Sequence, residues 1–415
     1  MPAGMGLGDC PASPPKLLFP RRSGAVAESL RQPWQTGTAT SCRKHCRPRK
    51  EKAVLIFDGD YPMAHGALGL NRDLTLPLDE LRAADANPSN IPFGCLPEMR
   101  RGGVYCALMK IAARRMRKDS ILPGYRGKEV VYAAGKGQLA LYRGLESTGE
   151  AVVVTTAGQL RELAGQWEQR AGGSRLPVGF LIGMEGADPI LTPGQVGEWW
   201  DDGVRVVSLT HYGRSRYAHG TGTGTEGGLL PPGPELLREM EACGMLLDMT
   251  HIADRSFWEA LDHYSGPILA SHQNCRALAP GERQFSDEQI RAVIERDGVV
   301  GASKDTWMLR EKQDLDWART ADFSRREYYA REEVTLEHIA NHVDHVCQLA
   351  GNSRHAGIGG DTDGQGGIDG APLEIDSIAD YGKLVPILER RGYGSEDVAN
   401  VMYGNWHRFY TSYLP

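Results

Sequence analysis

The chain lacks the features that would place it in several large protein classes. No stretch approaches the roughly 20 consecutive apolar residues that a membrane-spanning helix needs. The C-terminal "RFYTSYLP" has neither the small-residue site nor the hydrophobic run of a glycolipid-anchor signal, so no membrane association is expected. The formal charge is −6, which removes any global case for nucleic acid as a partner. The eight cysteines (Cys10, Cys42, Cys46, Cys95, Cys106, Cys243, Cys275 and Cys347) lie far apart, with no Cys-x-x-Cys pair. That spacing argues against a disulfide framework and for a reducing, cytoplasmic compartment. Cys42, His45 and Cys46 cluster, but no second pair of ligands lies nearby, so zinc is not expected there. No Gly-x-Gly-x-x-Gly follows the first apolar run, which weakens a dinucleotide-binding reading, and no internal repeat is evident.

What is present is an ordinary enzyme-like composition, with 41% hydrophobic and 24% charged residues over 415 positions. Residues 1–52 stand apart: rich in Pro, Ser, Gly and Arg, they carry ten Lys/Arg against three Asp/Glu and are predicted to be disordered. From residue 53 to 415, apolar strands alternate with amphipathic helical stretches. The predicted strands are 54–57, 103–108, 178–183, 204–209, 244–248, 267–270, 298–302 and 356–359. Between them run helical patterns such as "TAGQLRELAGQWEQR", "SDEQIRAVIERD" and "TLEHIANHVDHVCQLA". Eight strands alternating with helices predict an α/β fold, a (β/α)8 TIM barrel with loop insertions at about 110–150 and 305–332. The glycine-rich loop 219–228 is predicted to be irregular and to close over a site.

A barrel of this kind carries its chemistry at the C-terminal strand ends. Asp58 and Asp60 follow the first predicted strand, Glu185 follows "VGFLIG", and His211, His251 and His272 follow three later strands; Asp361 and Asp363 follow "AGIGG". Singly, each His reads as a hydrogen-bonded structural residue and each Asp as a turn former. Together they form a set of N and O donors suited to one or two divalent ions, the constellation of a metal-dependent hydrolase. Asp248, inside its strand, reads as a supporting group. His338, His342 and His345 share a helix face outside the barrel and are not expected to bind metal.

The ordered stretches "GMEGADPI", "LTHYG", "GMLLDMTHIADRSFWEAL", "PILASHQNCRAL", "IGGDTDG" and "YGNWHRF" make the chain from about residue 53 onward resemble the membrane (renal) dipeptidase family, the M19 metallopeptidases of the amidohydrolase superfamily. The resemblance implies a zinc-dependent hydrolase of dipeptides or similar small amides, with a small-molecule substrate and compatibility with a homodimer. It implies that Glu185 bridges two zinc ions and that His251 and His272 complete the second site. It implies that His211 polarises the scissile carbonyl, that Arg283 holds the substrate carboxylate, and that Asp361 shuttles the proton. The opening stretch "IFDGDYP" departs from the family's Asp-Gly-His-x-Asp. Aligned on Asp-Gly, Asp60 replaces the His and Pro62 the Asp; aligned on Asp-x-Pro, Asp58 replaces the His and Asp60 is kept. Either way the first metal site has lost its imidazole, and it can be altered, weak or empty. Asp58 and Asp60 are expected to face the barrel mouth together, because strand side chains alternate. The rival readings are a lactonase or other amide hydrolase on the same fold, and a small-molecule binder that has lost its first metal.

Overall fold

The computed structural model describes residues 54–85, 90–118, 120, 122–170, 175–225, 227–310, 330–363 and 367–415. The reading of residues 1–52, the Cys42–His45–Cys46 cluster and most of the insertion at 305–332 lie outside these residues.

Nine parallel strands form one sheet: β1 Ile56–Tyr61, β2 Val104–Ile111, β3 Ala151–Val153, β4 Val178–Met184, β5 Val204–Ser208, β6 Leu246–Asp248, β7 Ile268–Leu269, β8 Val300–Ala302 and β9 Ala356–Ile358. Their order is β7-β6-β5-β4-β2-β1-β9-β8, with β3 beside β4. A parallel bridge between Ala270 and Val300, with Gly301 N–H donating to the Ala270 carbonyl at 2.8 Å, joins the two ends of that order. Eight strands therefore close into the (β/α)8 barrel. All eight predicted strands are present; β3 is the unpredicted ninth, a three-residue strand too short to show a period.

The local reasons are ordinary ones. Parallel strands covered on both faces read as continuous apolar runs, and β2, β4 and β5 are buried at every position. The helices Ala157–Glu168 and Asp287–Glu295 start at Ser/Thr-x-x-Gln capping boxes built on Thr156 and Ser286. The helix Asn405–Tyr413 packs on the barrel through Trp406, whose indole N–H donates to the Ile358 carbonyl at 2.9 Å, and through Tyr410 stacked on Phe57.

β1 runs further than predicted, so Asp58 and Asp60 lie within the strand. Its register against β2 slips between Asp58 and Tyr61, the mark of a bulge. Gly59 makes the close approach there tolerable: a Cβ would lie 2.6 Å from the Ser271 carbonyl oxygen and 2.7 Å from that of Ile358. The slip breaks the alternation that was expected to aim both acids at the same place.

Candidate metal centre

Glu185 leaves the end of β4, its N–H held by the Ile111 carbonyl at 2.9 Å. His251 and His272 follow β6 and β7. Glu185 Oε1 lies 3.2 Å from His251 Nε2 and 3.4 Å from His272 Nε2, and the two imidazole nitrogens are 3.0 Å apart. With zinc–nitrogen bonds near 2.0–2.1 Å, the corners of a tetrahedron are about 3.3–3.4 Å apart. The three atoms are thus spaced as one face of such a site; Glu185 and His251 line the cavity and His272 is fully buried. His211 Nε2 is 3.5 Å from the same Oε1, on the cavity side, with its ring edge-on to His251. Glu185, His211 and His251 come within 4.8 Å of one another, as do Asp60, His272 and Asp361.

Charge states suit the donor set. Burial draws His211 and His251 well below the ordinary imidazole value, Arg283 adding to the effect at His251, so both are neutral near pH 7. Burial opposes ionisation of Glu185, but His211 and hydrogen bonds from His251 and His272 outweigh it and hold the carboxyl well below its usual range. His272 behaves otherwise: against burial, Asp60 and Glu185 on its two sides push it up to about 10, so an ion must displace its proton. The Nδ1 atoms of His211 and His251 and Oδ2 of Asp60 are buried without a hydrogen-bond partner in the described structure. His251, Asp361 and Asp363 adopt left-handed φ values of 65°, 50° and 52° although none is Gly. Such strain gathers at functional sites.

The two acids of β1 part company. Asp60 Oδ1 lies 3.1 Å from His272 Nδ1, 3.4 Å from the Ser271 hydroxyl and 3.5 Å from Lys110 Nζ. Asp58 turns to the loop after β9, accepting from Gly360 N–H at 2.7 Å, Thr362 Oγ1 at 2.7 Å and Asp60 N–H at 3.1 Å. Asp58, expected among the metal ligands, is not in either donor group; it lies at the edge of the irregular stretch between Asp58 and Tyr61, and three donors occupy it. Burial pushes its pKa up to about 7, opposed by those hydrogen bonds. A carboxyl raised in the folded state favours folding most below its unfolded pKa of about 3.8, and loses that contribution as pH rises through about 7. Asp58→Asn keeps an acceptor for the two N–H groups and has no charge to bury. It is expected to leave metal content unchanged and to flatten the fall in melting temperature as pH rises from 3.8 to about 7. A lost ion would return Asp58 to the ligand set.

Arg283, expected to hold the substrate carboxylate, lies deeper than the cavity lining. It is 1% exposed and does not line the cavity. Its guanidinium donates to Gln273 Oε1 at 2.6 Å and the His272 carbonyl at 2.9 Å, and approaches His251 Nε2 at 3.4 Å. It braces the imidazoles from behind.

The cavity itself measures about 400 Å³ and opens on Glu185, His211, His251 and Asp361. The insertion after β2 supplies a wall through Arg114, Leu122 and Tyr125, and His65 lines another side. Arg114 Nη1 is buried with no hydrogen-bond partner among the described residues. Sequence reading passed over Arg114, which sits in the run "ARRMRKD" and looks like a solvated charge patch there. The loop 219–228, irregular as predicted, contributes none of its described residues to this cavity. His338 bonds its own helix cap, His342 holds Cys275 N–H and faces the Leu309 carbonyl, and His345 pairs with Asp287. Each has its own partner.

The closed parallel barrel thus gathers imidazoles and carboxylates at one cavity at its strand ends, where barrels of this kind carry their chemistry. A model of the family described as membrane dipeptidase (peptidase family M19) matches residues 95–412. The chain belongs to that family. It is 27% identical over 227 residues to an uncharacterised dipeptidase of Schizosaccharomyces pombe, covering 54% of this chain and 50% of that one. It is 29% identical over 231 residues to the dipeptidase aclJ of Aspergillus oryzae, covering 55% and 50%. The matched region thus spans about half the length of these relatives. Among solved structures, a metallopeptidase from Rhodobacter sphaeroides, liganded with a phosphinate mimic of the dipeptide L-Ala-D-Ala, shares the fold with a TM-score of 0.69. The identity is 19%, with 88% of this chain and 100% of that one covered. The probable dipeptidase PvdM from Pseudomonas aeruginosa gives 0.67 at 17% identity, over 86% and 95%.

Proposed function

We propose that the protein is a zinc-dependent hydrolase of dipeptides or closely similar small amides. The observation that carries this reading is the triangle of Glu185 Oε1, His251 Nε2 and His272 Nε2, spaced as the protein face of a catalytic zinc and turned toward a substrate-sized cavity. A divalent ion held there supplies Lewis acidity, making water a nucleophile near neutral pH and polarising a carbonyl. The chain's own groups do the rest. His211, neutral and on the cavity side of Glu185, is placed beside the substrate carbonyl. Asp361 lines the same wall and moves the proton from water to the departing amine. Arg114 and Arg283 each carry an unpartnered guanidinium N–H, and Arg114, which lines the cavity as Arg283 does not, is the better placed for a substrate carboxylate, for which a guanidinium is well shaped. Cys95, Cys106, Cys243, Cys275 and Cys347 are free, which supports a reducing compartment such as the cytoplasm.

The test is hydrolysis of a dipeptide panel and the matching C-terminal amides by zinc-loaded protein, wild type and Arg114→Met. The expected result is turnover of free dipeptides, weak turnover of amides, and a KM for free dipeptides raised roughly 10- to 100-fold in Arg114→Met, the scale of a lost charged hydrogen bond. Amide kinetics should not respond to the substitution. Absence of turnover with metal bound would favour a small-molecule binder instead.

A further inference from the structure

We propose that this centre holds one divalent ion and that the ammonium of Lys110 takes the place of a second. The inference rests on the metal-dependent reading above and specifies its stoichiometry.

The residues offer two donor groups, one around Glu185 and one of Asp60, His272 and Asp361. The second group already contains a cation. Lys110 comes from β2, in the run "VYCALMKI", where a single charge interrupts an otherwise apolar strand. It is wholly buried. Its Nζ is 2.5 Å from Asp248 Oδ2, 3.5 Å from Asp60 Oδ1 and 3.3 Å from the Ser271 hydroxyl. Gly183, its partner on β4, leaves room for the stem: a Cβ there would lie 3.2 Å from Lys110 Cδ. Asp248 is fastened in turn by the N–H groups of Thr250 and Ser271, both at 3.0 Å, and by the Ser271 hydroxyl at 2.6 Å. The lysine is therefore built into the barrel, with carboxylates on two sides.

An ion bound by Asp60 would sit against this ammonium and be repelled by it, with little water present to screen the charges. It would also compete for His272. That imidazole presents Nε2 to Glu185 and His251, while Nδ1 is 3.1 Å from Asp60 and 3.0 Å from the Ser271 hydroxyl. A neutral imidazole has one free lone pair, so it ligates one ion and donates its other N–H. Asp60 is then the acceptor that orients a ligand histidine, and Lys110 compensates the charge Asp60 would otherwise share with a metal.

The experiment is metal counting on the full chain: strip the protein, load it with Zn2+ or Mn2+, desalt, and measure bound ion by elemental analysis and native mass spectrometry. One ion per chain is expected, with a Mn2+ electron paramagnetic resonance spectrum of an isolated centre. Two retained ions per chain, or a spectrum of an exchange-coupled pair, would overturn the proposal and leave the hydrolase reading standing. No retained ion overturns both. Asp60→Asn is expected to keep one ion with affinity lowered about 10- to 100-fold, the usual effect of removing a ligand's outer partner; unchanged affinity overturns the role given to Asp60. Lys110→Ala removes the resident cation and is expected to admit a second ion at high metal concentration; a folded variant that still takes one shows that Lys110 is not what excludes it. The wild-type count decides the stoichiometry even where Lys110→Ala does not fold.

Discussion

Glu185→Gln is expected to abolish metal retention at neutral pH and to lower turnover by roughly 10³ or more, about 4 kcal/mol of barrier. Its Oε1 lies within 3.5 Å of three imidazole nitrogens, those of His211, His251 and His272. The side chain is ionised because those groups outweigh a burial that favours the neutral acid. A glutamine keeps the shape and removes the charge. A divalent ion would then face two imidazoles and a weak carbonyl donor, and His272 loses one of the carboxylates on its flanks. The strand itself should be unaffected, because Glu185 is anchored through its backbone N–H. The check is metal content after dialysis, activity with saturating zinc, and the melting temperature of both metal-free proteins. A variant that retains its ion and its turnover would sink the assignment of this carboxylate.

Asp361→Asn is expected to cost between about 10² and 10⁴ in kcat, whereas Asp363→Asn should cost little activity and more stability. The two acids are neighbours with the same left-handed backbone and differ in what holds them. Asp363 accepts from Phe93 N–H at 2.7 Å, Gly94 N–H at 3.0 Å and the Tyr61 hydroxyl at 3.3 Å. An amide can meet only part of that demand, and an unmet buried donor costs about 1–3 kcal/mol. Both acids line the cavity, but Asp361 lacks that set of donors, and burial, opposed by His272 and reinforced by Asp305 and Asp60, pushes it up to about 6. To accept a proton from water it must be ionised, so kcat/KM should fall as pH drops through about 6. That acid limb should disappear in Asp361→Asn while the residual rate stays flat. A larger rate loss at position 363, or an acid limb that survives Asp361→Asn, would reverse the assignment.

The barrel was legible because burial on both faces writes each parallel strand as an apolar run, and because polar residues recur just after those runs. That recurrence marks Glu185, His211, His251 and His272 as candidate donors, and the fold brings them to one place. β3 was missed for the opposite reason, being three residues long. Lys110 left a signal, one charge inside "VYCALMKI", that reading strand ends alone passes over. Arg114 left none, since its neighbours in "ARRMRKD" are also cationic and local sequence does not say which one turns inward.

By itself the sequence determined the parallel barrel, its family, and the chemical types of the donors at its mouth. These follow from hydrophobic period and from residue type, which are local properties. The tertiary structure alone decided how the donors are shared. Across a register slip between Asp58 and Tyr61, Asp58 goes to the loop after β9 and Asp60 to His272, a partner more than two hundred positions away. Barrel closure brings Lys110 against Asp248 across 138 positions, and buries Arg283 behind the imidazoles while leaving Arg114 at the cavity. Which nitrogen faces which oxygen depends on strand register and on the direction of each side chain across the barrel, and both are fixed only when the sheet closes.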